Sequence, residues 1–280
     1  MGQTQTNQDI DGEDILLSPY GTRNLEMDAY HNRHRRQADM LFDAWLKIKP
    51  SYRRLAAAAE HMTPQRIHVT SVDVPSRRQD LDGVLAALKQ TRHDVSVSLA
   101  PIGDRGKFTN INLALAEVDL DAIDWLIVTD DDIDFPAHFL DRFVYACFAS
   151  GLRIAQPAHR FQSHTTWTFT QRRWNSLVHT THMVECGPLT IFHRDVFADV
   201  LPFPETRWAW GLDVLWGELA RRRGLPIGVV DATPIGHLRP VAQLYEADAA
   251  VAEGRALLAQ NGVARSNREI LQTTAVLTKL

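Results

Sequence analysis

Cysteine is scarce in this chain. Its 280 residues include two cysteines, Cys147 and Cys186, and no CxxC spacing. This excludes a disulfide framework and a thiolate zinc site as the element that organises the fold. We therefore expect two buried thiols in a reducing compartment, and we predict a cytoplasmic protein.

Long apolar runs, strong net charge and repeats are also lacking. No run approaches the ~20 residues of a membrane-spanning helix, and the N-terminus lacks the apolar segment of a secretion signal. A net charge of -4 with 23% charged residues gives no general reason to expect nucleic-acid binding. The hydrophobic content of 45% lets the chain bury one large core. We expect an ordinary globular protein.

The order of sequence patterns predicts an α/β domain with helical additions. Residues 1–24 are polar and are predicted to form a disordered tail, and residues 25–62 a helical extension that Pro50 divides. Apolar β-rich runs then alternate with helical spacing, which indicates βαβ units and a parallel sheet. Strands are predicted at 66–74, 94–100, 125–129, 189–192 and 227–231, and helices at 81–90, 110–118, 138–150, 212–222 and 243–260.

A basic patch at residues 31–36 lies in the helical extension. We interpret it as a solvated helix face, with contact to an anionic lipid or an acceptor as the alternative.

The most informative segment is residues 125–136, an apolar strand followed by Asp130, Asp131, Asp132 and Asp134. Carboxylates packed this closely repel one another unless a cation neutralises them. Such hard oxygen ligands suit Mg²⁺ or Mn²⁺. Open α/β sheets bind ligands at the carboxyl ends of their strands. The segment therefore predicts a metal and nucleotide-diphosphate site.

Three alternatives compete for this segment. A calcium loop fits poorly because Phe135 and Pro136 stand where that loop needs a sharp glycine turn. A phosphatase would use Asp130 as the nucleophile and Asp132 to handle the proton. Such enzymes usually begin their domain with this strand, whereas two βα units precede it here. A solvated acidic turn is the third alternative.

Residues 207–216 carry a second informative pattern. Trp208 and Trp210 precede a turn at Gly211, and Asp213 follows at a predicted helix start. Indole faces stack on the apolar faces of sugar rings, and Asp213 is a candidate general base. The alternative is an amphipathic helix that begins with an acidic residue and has tryptophan in the core.

Two weaker patterns point to the same chemistry. His237 follows a late strand and is a candidate extra ligand for a carboxylate metal site, and Arg239 is a candidate phosphate contact. The basic loop at 103–110 leads into a helix and is a plausible neighbour of a diphosphate, although it does not match a Walker A motif.

Together, Asp130-Asp131-Asp132, Trp210-Gly211-Leu212-Asp213 and His237 occur in an order that resembles glycosyltransferases of the GT-A fold. The resemblance covers residues 67–245. It is most similar to a little-characterised bacterial and plant group, or to family 2-like nucleotide-sugar transferases. It implies a Rossmann-like, mixed, mostly parallel sheet flanked by helices. It also implies a catalytic domain over residues 63–245, followed by a C-terminal helical tail at 246–280.

The resemblance also implies roles for individual residues. Asp132 and His237 would bind the metal, Asp130 would contact the metal or the ribose, and Asp213 would be the base of an inverting reaction. Many inverting relatives carry two adjacent acids where this chain has Leu212-Asp213, which leaves the stereochemical outcome open. Donor contacts are predicted for Thr70, Ser71, Asp73, Lys107, Asn110, Asp130, Asp131 and Arg239. Acceptor contacts are predicted for Trp167, Gly187, Trp208 and Trp210, with Trp174 nearby.

The resulting prediction is a glycosyltransferase that uses Mn²⁺ or Mg²⁺. It would move a sugar from a nucleotide-diphosphate donor to a hydroxyl of a glycan, lipid or small molecule. The helical extension is a candidate contact surface for a homodimer. The rivals are a metal-dependent phosphatase and a non-catalytic nucleotide- or glycan-binding protein.

Overall fold

Two helices precede the sheet in the computed structural model, which describes residues 33–239, 247–265 and 267–280. Helix α1 spans Arg33–Ile48 and α2 spans Pro50–His61. Proline suits the first turn of a helix because its φ is already helical and its missing N–H would have no partner there. The expected division at Pro50 is confirmed. The predicted tail and the first residues of the helical extension lie outside the described residues.

A nine-stranded sheet follows, in the order β2-β1-β3-β7-β5-β8-β6-β9, with β4 paired to β8. Strands β1, β2, β3, β5, β8 and β9 run in one direction and β4, β6 and β7 in the other. The predicted mixed, mostly parallel sheet is confirmed. The strands are β1 Arg66–Asp73, β2 Asp94–Pro101, β3 Trp125–Thr129, β4 Ile133–Asp134, β5 Ile154–His159, β6 Val178–Thr181, β7 Leu189–His193, β8 Ile227–His237 and β9 Thr273–Leu277.

Helices cover both faces of the sheet. Along β3, Leu126 and Val128 pack into one buried cluster with Phe108, while Trp125 and Ile127 pack into the other with Phe143. A strand buried on both faces reads as a continuous apolar run, which is why β3 was evident in the sequence. The helices after α2 are α3 Arg78–Leu88, α4 Lys107–Leu115, α5 Phe139–Ser150, α6 Phe197–Val200, α7 Leu212–Arg222, α8 Ala247–Gln260 and α9 Asn267–Ile270.

This architecture, a mixed sheet between helices, is consistent with the Rossmann-like α/β fold that the resemblance implies. Among the helices of the described ranges, none combines the length and apolar character needed to cross a bilayer.

The predicted C-terminal helical tail is only partly helical. Residues 273–277 form β9, which pairs with β6 at the edge of the sheet. The run Thr-Thr-Ala-Val-Leu contains β-branched residues that favour an extended strand. The predicted helical tail therefore includes a segment whose local preference is for a strand.

Strand β8 is longer than expected, reaching His237 rather than ending at Asp231. The extended strand contains Pro234, which cannot donate a hydrogen bond to a strand ladder. The structure accommodates it where the β5–β8 register shifts, between the pairs Pro157–Val230 and His159–Ile235. The extension brings His237 beside Ile133 of β4, directly after the acidic segment.

Candidate metal and donor site

Asp130, Asp132 and His237 converge at one edge of the sheet. The carboxylates follow β3 and the imidazole ends β8, and the β4–β8 pairing holds the two segments together. One potential ligand atom from each residue lies within 4.8 Å of the others. His237 Nε2 is 3.3 Å from Asp132 Oδ2. Carboxylate oxygens and one imidazole nitrogen form a donor set that suits a divalent cation such as Mn²⁺.

The orientation of His237 also fits a metal ligand. Its Nδ1 lies 3.1 Å from the carbonyl of His164, which can accept but not donate a hydrogen bond. Its backbone N–H donates to Ser163 Oγ at 2.7 Å. The proton of the neutral imidazole is therefore on Nδ1, and the lone pair of Nε2 points toward Asp132. Outer hydrogen bonds of this kind are how proteins set the tautomer of metal-binding histidines.

Opposing effects set the protonation of His237 and Asp132. Burial disfavours the imidazolium, but the hydrogen bond and charge of Asp132, together with the charge of Asp130 and the His164 carbonyl, raise the pKa of His237 above its ordinary value. Burial likewise disfavours the Asp132 carboxylate, but His237 and then Arg239 lower its pKa. The pair thus already stabilises a positive charge at Nε2. A metal cation at this position would replace that proton.

Lys107 and Gly187 flank Asp130. Lys107 Nζ donates to Asp130 Oδ1 at 2.5 Å. A Cβ at Gly187 would lie 3.0 Å from Asp130 Oδ2, so a side chain there would press on the carboxylate. The predicted Lys107 and Gly187 thus lie at the acidic cluster. At Gly106, just before Lys107, a Cβ would overlap the carbonyl of Thr206, so the glycine permits this close packing.

Asp131 faces a different partner from the other two acids. It accepts a hydrogen bond from Arg239 Nη1 at 2.6 Å, and Arg239 Nη2 also bonds to Asp80 on α3. Burial raises the pKa of Asp131 despite the arginine. The backbone N–H of Arg239 donates to Asp132 Oδ2 at 3.0 Å. Asp131 therefore positions Arg239, while Asp130 and Asp132 belong to the ligand cluster.

The predicted donor residues Thr70, Ser71 and Asp73 lie at the end of β1, which is next to this cluster. The hydroxyl of Ser71 donates to the Thr129 carbonyl at 2.7 Å, and buried Thr70 lies 3.4 Å from Ser98 Oγ, so both hydroxyls join neighbouring strands. Asp73 differs. Its Oδ2 accepts from Arg78, whereas its buried Oδ1 has no hydrogen-bond partner among the described residues. Buried acceptors normally have a partner, so Oδ1 suits a ligand N–H.

Asn110 lies one turn into α4 and is buried. Its Nδ2 donates to the Arg105 carbonyl at 3.3 Å, which closes the 103–106 loop onto the helix. The structure therefore gives Asn110 a role in shaping this loop.

Asp213 occupies the first turn of α7, after Gly211 at φ 84°. Its Oδ1 accepts from the backbone N–H of Val214 at 2.9 Å. Burial of the carboxyl group raises its pKa to about 7, and the nearby Glu185 acts in the same direction. A carboxyl group with a pKa near neutrality is suited to accept a proton at physiological pH.

The segment 185–187 lies near both Asp213 and Asp130. Burial raises the pKa of the Cys186 thiol, and the charges of Asp213 and Asp130 both add to this. The two carboxylates therefore lie near the same short segment. Buried Glu185 is fixed by Trp167 N and Thr165 Oγ1, both at 2.8 Å, and by His159 Nε2 at 3.1 Å.

The predicted acceptor tryptophans occupy different environments. Trp167 is 5% exposed and packs in the core, and its acceptor contact stays a prediction. Trp174 packs against Phe42 and Trp45 of α1. Trp208 and Trp210 are half-buried near Asp213, and Glu253 on α8 accepts from the backbone N–H of Trp208.

Asp39 on α1 is a supporting residue that sequence reasoning missed. Its buried carboxylate accepts from the backbone N–H groups of Phe161 and Gln162 at 3.0 and 2.9 Å, and from Arg172 Nη1 at 2.8 Å. The next two residues, Ser163 and His164, hold His237. No local pattern could reveal this link because it spans more than 120 residues of sequence.

We expect Asp39→Asn to weaken Mn²⁺ binding about tenfold, the lower end of the usual effect of outer-shell substitutions. The amide keeps one acceptor oxygen but replaces the other with a donor that faces the Phe161–Gln162 amides or Arg172. Titration calorimetry with Mn²⁺ would measure the change. Asp43→Asn is the matched control, because Asp43 bonds to Arg172 without touching the loop. Equal affinities in both variants would contradict the link.

Comparison with known proteins gives only remote similarities. No protein-family model matches the chain, and neither does any curated protein. Solved structures that it resembles include GalNAc-T7 with UDP, GalNAc and Mn²⁺, at 10% identity and a TM-score of 0.43, covering 65% of this chain and 45% of that one. S. aureus TarS 1-349 with UDP-GlcNAc aligns at 12% identity and a TM-score of 0.43, covering 61% and 57%.

The catalytic domain of Drosophila β1,4-galactosyltransferase 7 in complex with xylobiose aligns at 13% identity and a TM-score of 0.39, covering 67% of this chain and 79% of that one. The chain thus spans about half the length of the first two structures. Similarities this remote do not establish an activity for this chain.

Proposed function

We propose that the chain is a metal-dependent glycosyltransferase that moves a sugar from a nucleotide-diphosphate sugar to an acceptor hydroxyl. The observation that carries the proposal is the convergence of Asp130, Asp132 and His237, with Lys107 beside them, at the carboxyl edge of a mixed α/β sheet. A divalent cation would neutralise the carboxylates of Asp130 and Asp132. A bound anion such as a diphosphate would neutralise the cation and the ammonium group of Lys107.

Asp132, His237 and Asp130 would hold the metal ion. Mixed carboxylate and imidazole ligands favour Mn²⁺, with Mg²⁺ as the alternative. When bound, the cation supplies charge neutralisation for a diphosphate leaving group. Lys107 lies where it can add a further positive charge to the phosphates.

The end of β1 is the proposed nucleoside position. The buried Asp73 Oδ1 would accept an N–H from the base or a ribose hydroxyl. Arg239, which Asp131 and Asp80 hold in place, contributes positive charge on the other side of the cluster.

Asp213 is the proposed base. It would take the proton from the acceptor hydroxyl as the oxygen attacks the anomeric carbon from the face opposite the diphosphate. The bond between that carbon and the diphosphate oxygen breaks, the nucleoside diphosphate leaves, and the configuration is inverted. A pKa of about 7 leaves a large fraction ionised at neutral pH while keeping the group basic enough to accept the proton. The half-buried Trp208 and Trp210 would stack on the acceptor.

A thermal-shift panel tests the nucleotide and metal site. UDP, GDP, CMP, dTDP and ADP are each added with Mn²⁺ or with EDTA. We expect one diphosphate to raise the Tm only with Mn²⁺, since a ligand at a hundredfold excess over its Kd stabilises by about 2.7 kcal/mol. A panel without any Mn²⁺-dependent shift would refute the nucleotide-sugar site. A shift without transfer to any acceptor would instead favour a non-catalytic binding protein.

One observation favours the phosphatase alternative. That chemistry needs a lysine near the nucleophile, and Lys107 contacts Asp130. However, the phosphatase chemistry gives His237 and Asp213 no role. Hydrolysis of p-nitrophenyl phosphate without an acceptor, lost in Asp130→Asn, would favour the phosphatase over the transferase.

The finer assignments stay predictions. These are the catalytic domain boundary at 63–245, the particular transferase group, the cytoplasmic location and the homodimer.

A further inference from the structure

The outer face of α1 exposes an unusual concentration of apolar side chains. Met40, Leu41 and Ile48 are 65%, 67% and 64% exposed, the highest values among large hydrophobic side chains in the described ranges. They lie opposite the buried side of the helix, which carries Asp39, Phe42 and Leu46. Exposed apolar groups clustered on one element usually mark a contact surface.

Basic side chains border this apolar ridge. Arg36, Met40 and Lys47 follow one another at spacings of four and seven residues, so they share one side of the helix with Arg33. Leu41 and Ile48, seven residues apart, form the neighbouring stripe. We use the name α1 outer face for Arg33, Arg36, Met40, Leu41, Lys47 and Ile48.

The charge of this region contrasts with that of the whole chain. Residues 33–61 contain seven Lys or Arg and three Asp or Glu, a net charge of +4, whereas the chain carries -4. Six of the seven basic residues are exposed. Two of the three acids, Asp39 and Asp43, are bonded to Arg172 and do not offset the exposed charge. The α1–α2 surface is therefore strongly positive on an otherwise acidic protein.

We propose that the α1 outer face docks on an anionic lipid surface. A helix lying in the plane of a bilayer inserts apolar side chains between the headgroups, while flanking Lys and Arg contact acidic headgroups. Both features are present on the same side of α1. The proposal concerns this surface alone and stands whether or not the proposed transferase activity is correct.

Other occupants fit the α1 outer face less well. Two copies of the chain paired through it would bring their basic edges together, and like charges repel. Nucleic acid would satisfy the basic residues through its phosphates, but it would leave the aliphatic side chains of Met40, Leu41 and Ile48 exposed to water. An acidic lipid surface satisfies the charges and the aliphatic ridge together.

Co-sedimentation of the full chain with vesicles tests the proposal. Vesicles of phosphatidylcholine alone are compared with vesicles containing about 30% phosphatidylglycerol, at low and high salt. We expect binding to the anionic vesicles only, weakened by salt because screening shortens the reach of the basic residues. This comparison needs no variant. Failure to bind anionic vesicles at low salt would overturn the proposal.

Two triple variants separate the contributions. We expect Met40→Ser/Leu41→Ser/Ile48→Ser and Arg33→Glu/Arg36→Glu/Lys47→Glu each to weaken vesicle binding at least about tenfold. Two matched controls should bind like the wild type: Leu113→Ser/Phe148→Ser/Val276→Ser removes exposed apolar groups elsewhere, and Lys89→Glu/Arg92→Glu/Lys279→Glu removes exposed charges elsewhere. Circular dichroism confirms that each variant is folded.

Other results would identify a different occupant. Loss of binding in the charge variant alone would indicate adsorption to any polyanion and overturn the lipid proposal, as would tighter binding to DNA or polyglutamate. A concentration-dependent dimer that the serine variant abolishes, without vesicle binding, would assign the face to a second copy of the chain.

Discussion

Asp213→Asn should lower turnover by about 100- to 10,000-fold while leaving donor binding close to that of the wild type. The expected loss is that of a positioned general base, since the amide keeps the size of the side chain but cannot take the proton. Turnover of the donor that the thermal-shift panel identifies would measure the effect. Asp248→Asn, on the exposed surface of α8, is the control for an acid-to-amide change.

The pH dependence gives a second test of Asp213. Only the ionised carboxylate acts as a base, so the wild-type rate should rise with pH through about 7, the pKa set by burial. A near-normal rate in the variant, or a wild-type rate independent of pH from 5 to 8, would remove Asp213 from the mechanism.

The same substitution should stabilise the fold at pH 8. The folded pKa of about 7 exceeds the ordinary value of 3.8, so the folded chain retains a proton that the unfolded chain has released. The contribution of Asp213 to the free energy of unfolding therefore falls as pH rises from about 4 to about 7. Above pH 7 the buried carboxylate destabilises the fold by its full amount. The shift corresponds to at most ~4 kcal/mol. Because the residue as a whole is only half-buried and solvent reduces the penalty, we expect a gain of about 1 kcal/mol or more in the free energy of urea unfolding at pH 8, and little change at pH 4.

Asp132→Asn should abolish Mn²⁺-dependent nucleotide binding and reduce transfer by at least about 1,000-fold. Asp132 is buried and shares the cluster with His237 and Asp130, so its neutral amide removes one of the two carboxylates and half of their negative charge. Calorimetric titration with Mn²⁺ would measure the affinity directly, without relying on activity.

Asp134→Asn is the matched control two residues away. Asp134 carries a 56% exposed side chain that pairs with Arg160 at 3.0 Å, outside the ligand cluster. We expect its effect on unfolding to stay within about 1 kcal/mol, as for other exposed ion pairs. If Asp132→Asn and Asp134→Asn bound Mn²⁺ equally well, the ligand assignment would be wrong.

Much of the fold could be predicted because its central strands are buried. Strand β3 appears as an uninterrupted apolar run, and α7 begins and ends at the predicted residues, Leu212 and Arg222. Strands β4, β5, β6 and β9 were missed. The two-residue β4 has no detectable period, and the edge strand β9 depends on the partner it meets. Strand β5 is buried, but Pro157 within it argues against a strand in the sequence, and the four-residue β6 is too short to show a clear alternation.

The site was predictable where chemistry is concentrated locally. The acidic cluster and His237 stand out by residue type and position, and the structure brings them together. Side-chain direction was not predictable. Ser71 and Trp167 have suitable chemistry, but the first bonds to a neighbouring strand and the second faces the core. Asp39 was missed because its partners lie far along the chain.

The extension of β8 past Pro234 imposes a length constraint on this chain. His237 faces the acidic cluster because it pairs with Ile133 of β4, so a change in the number of residues between Asp231 and His237 would place a neighbouring residue at that pair. Deleting or inserting one residue there would turn the imidazole to the opposite side while leaving the composition almost unchanged. Related sequences that preserve this site should therefore vary at residues 232–236 by replacement, and should show no gaps there.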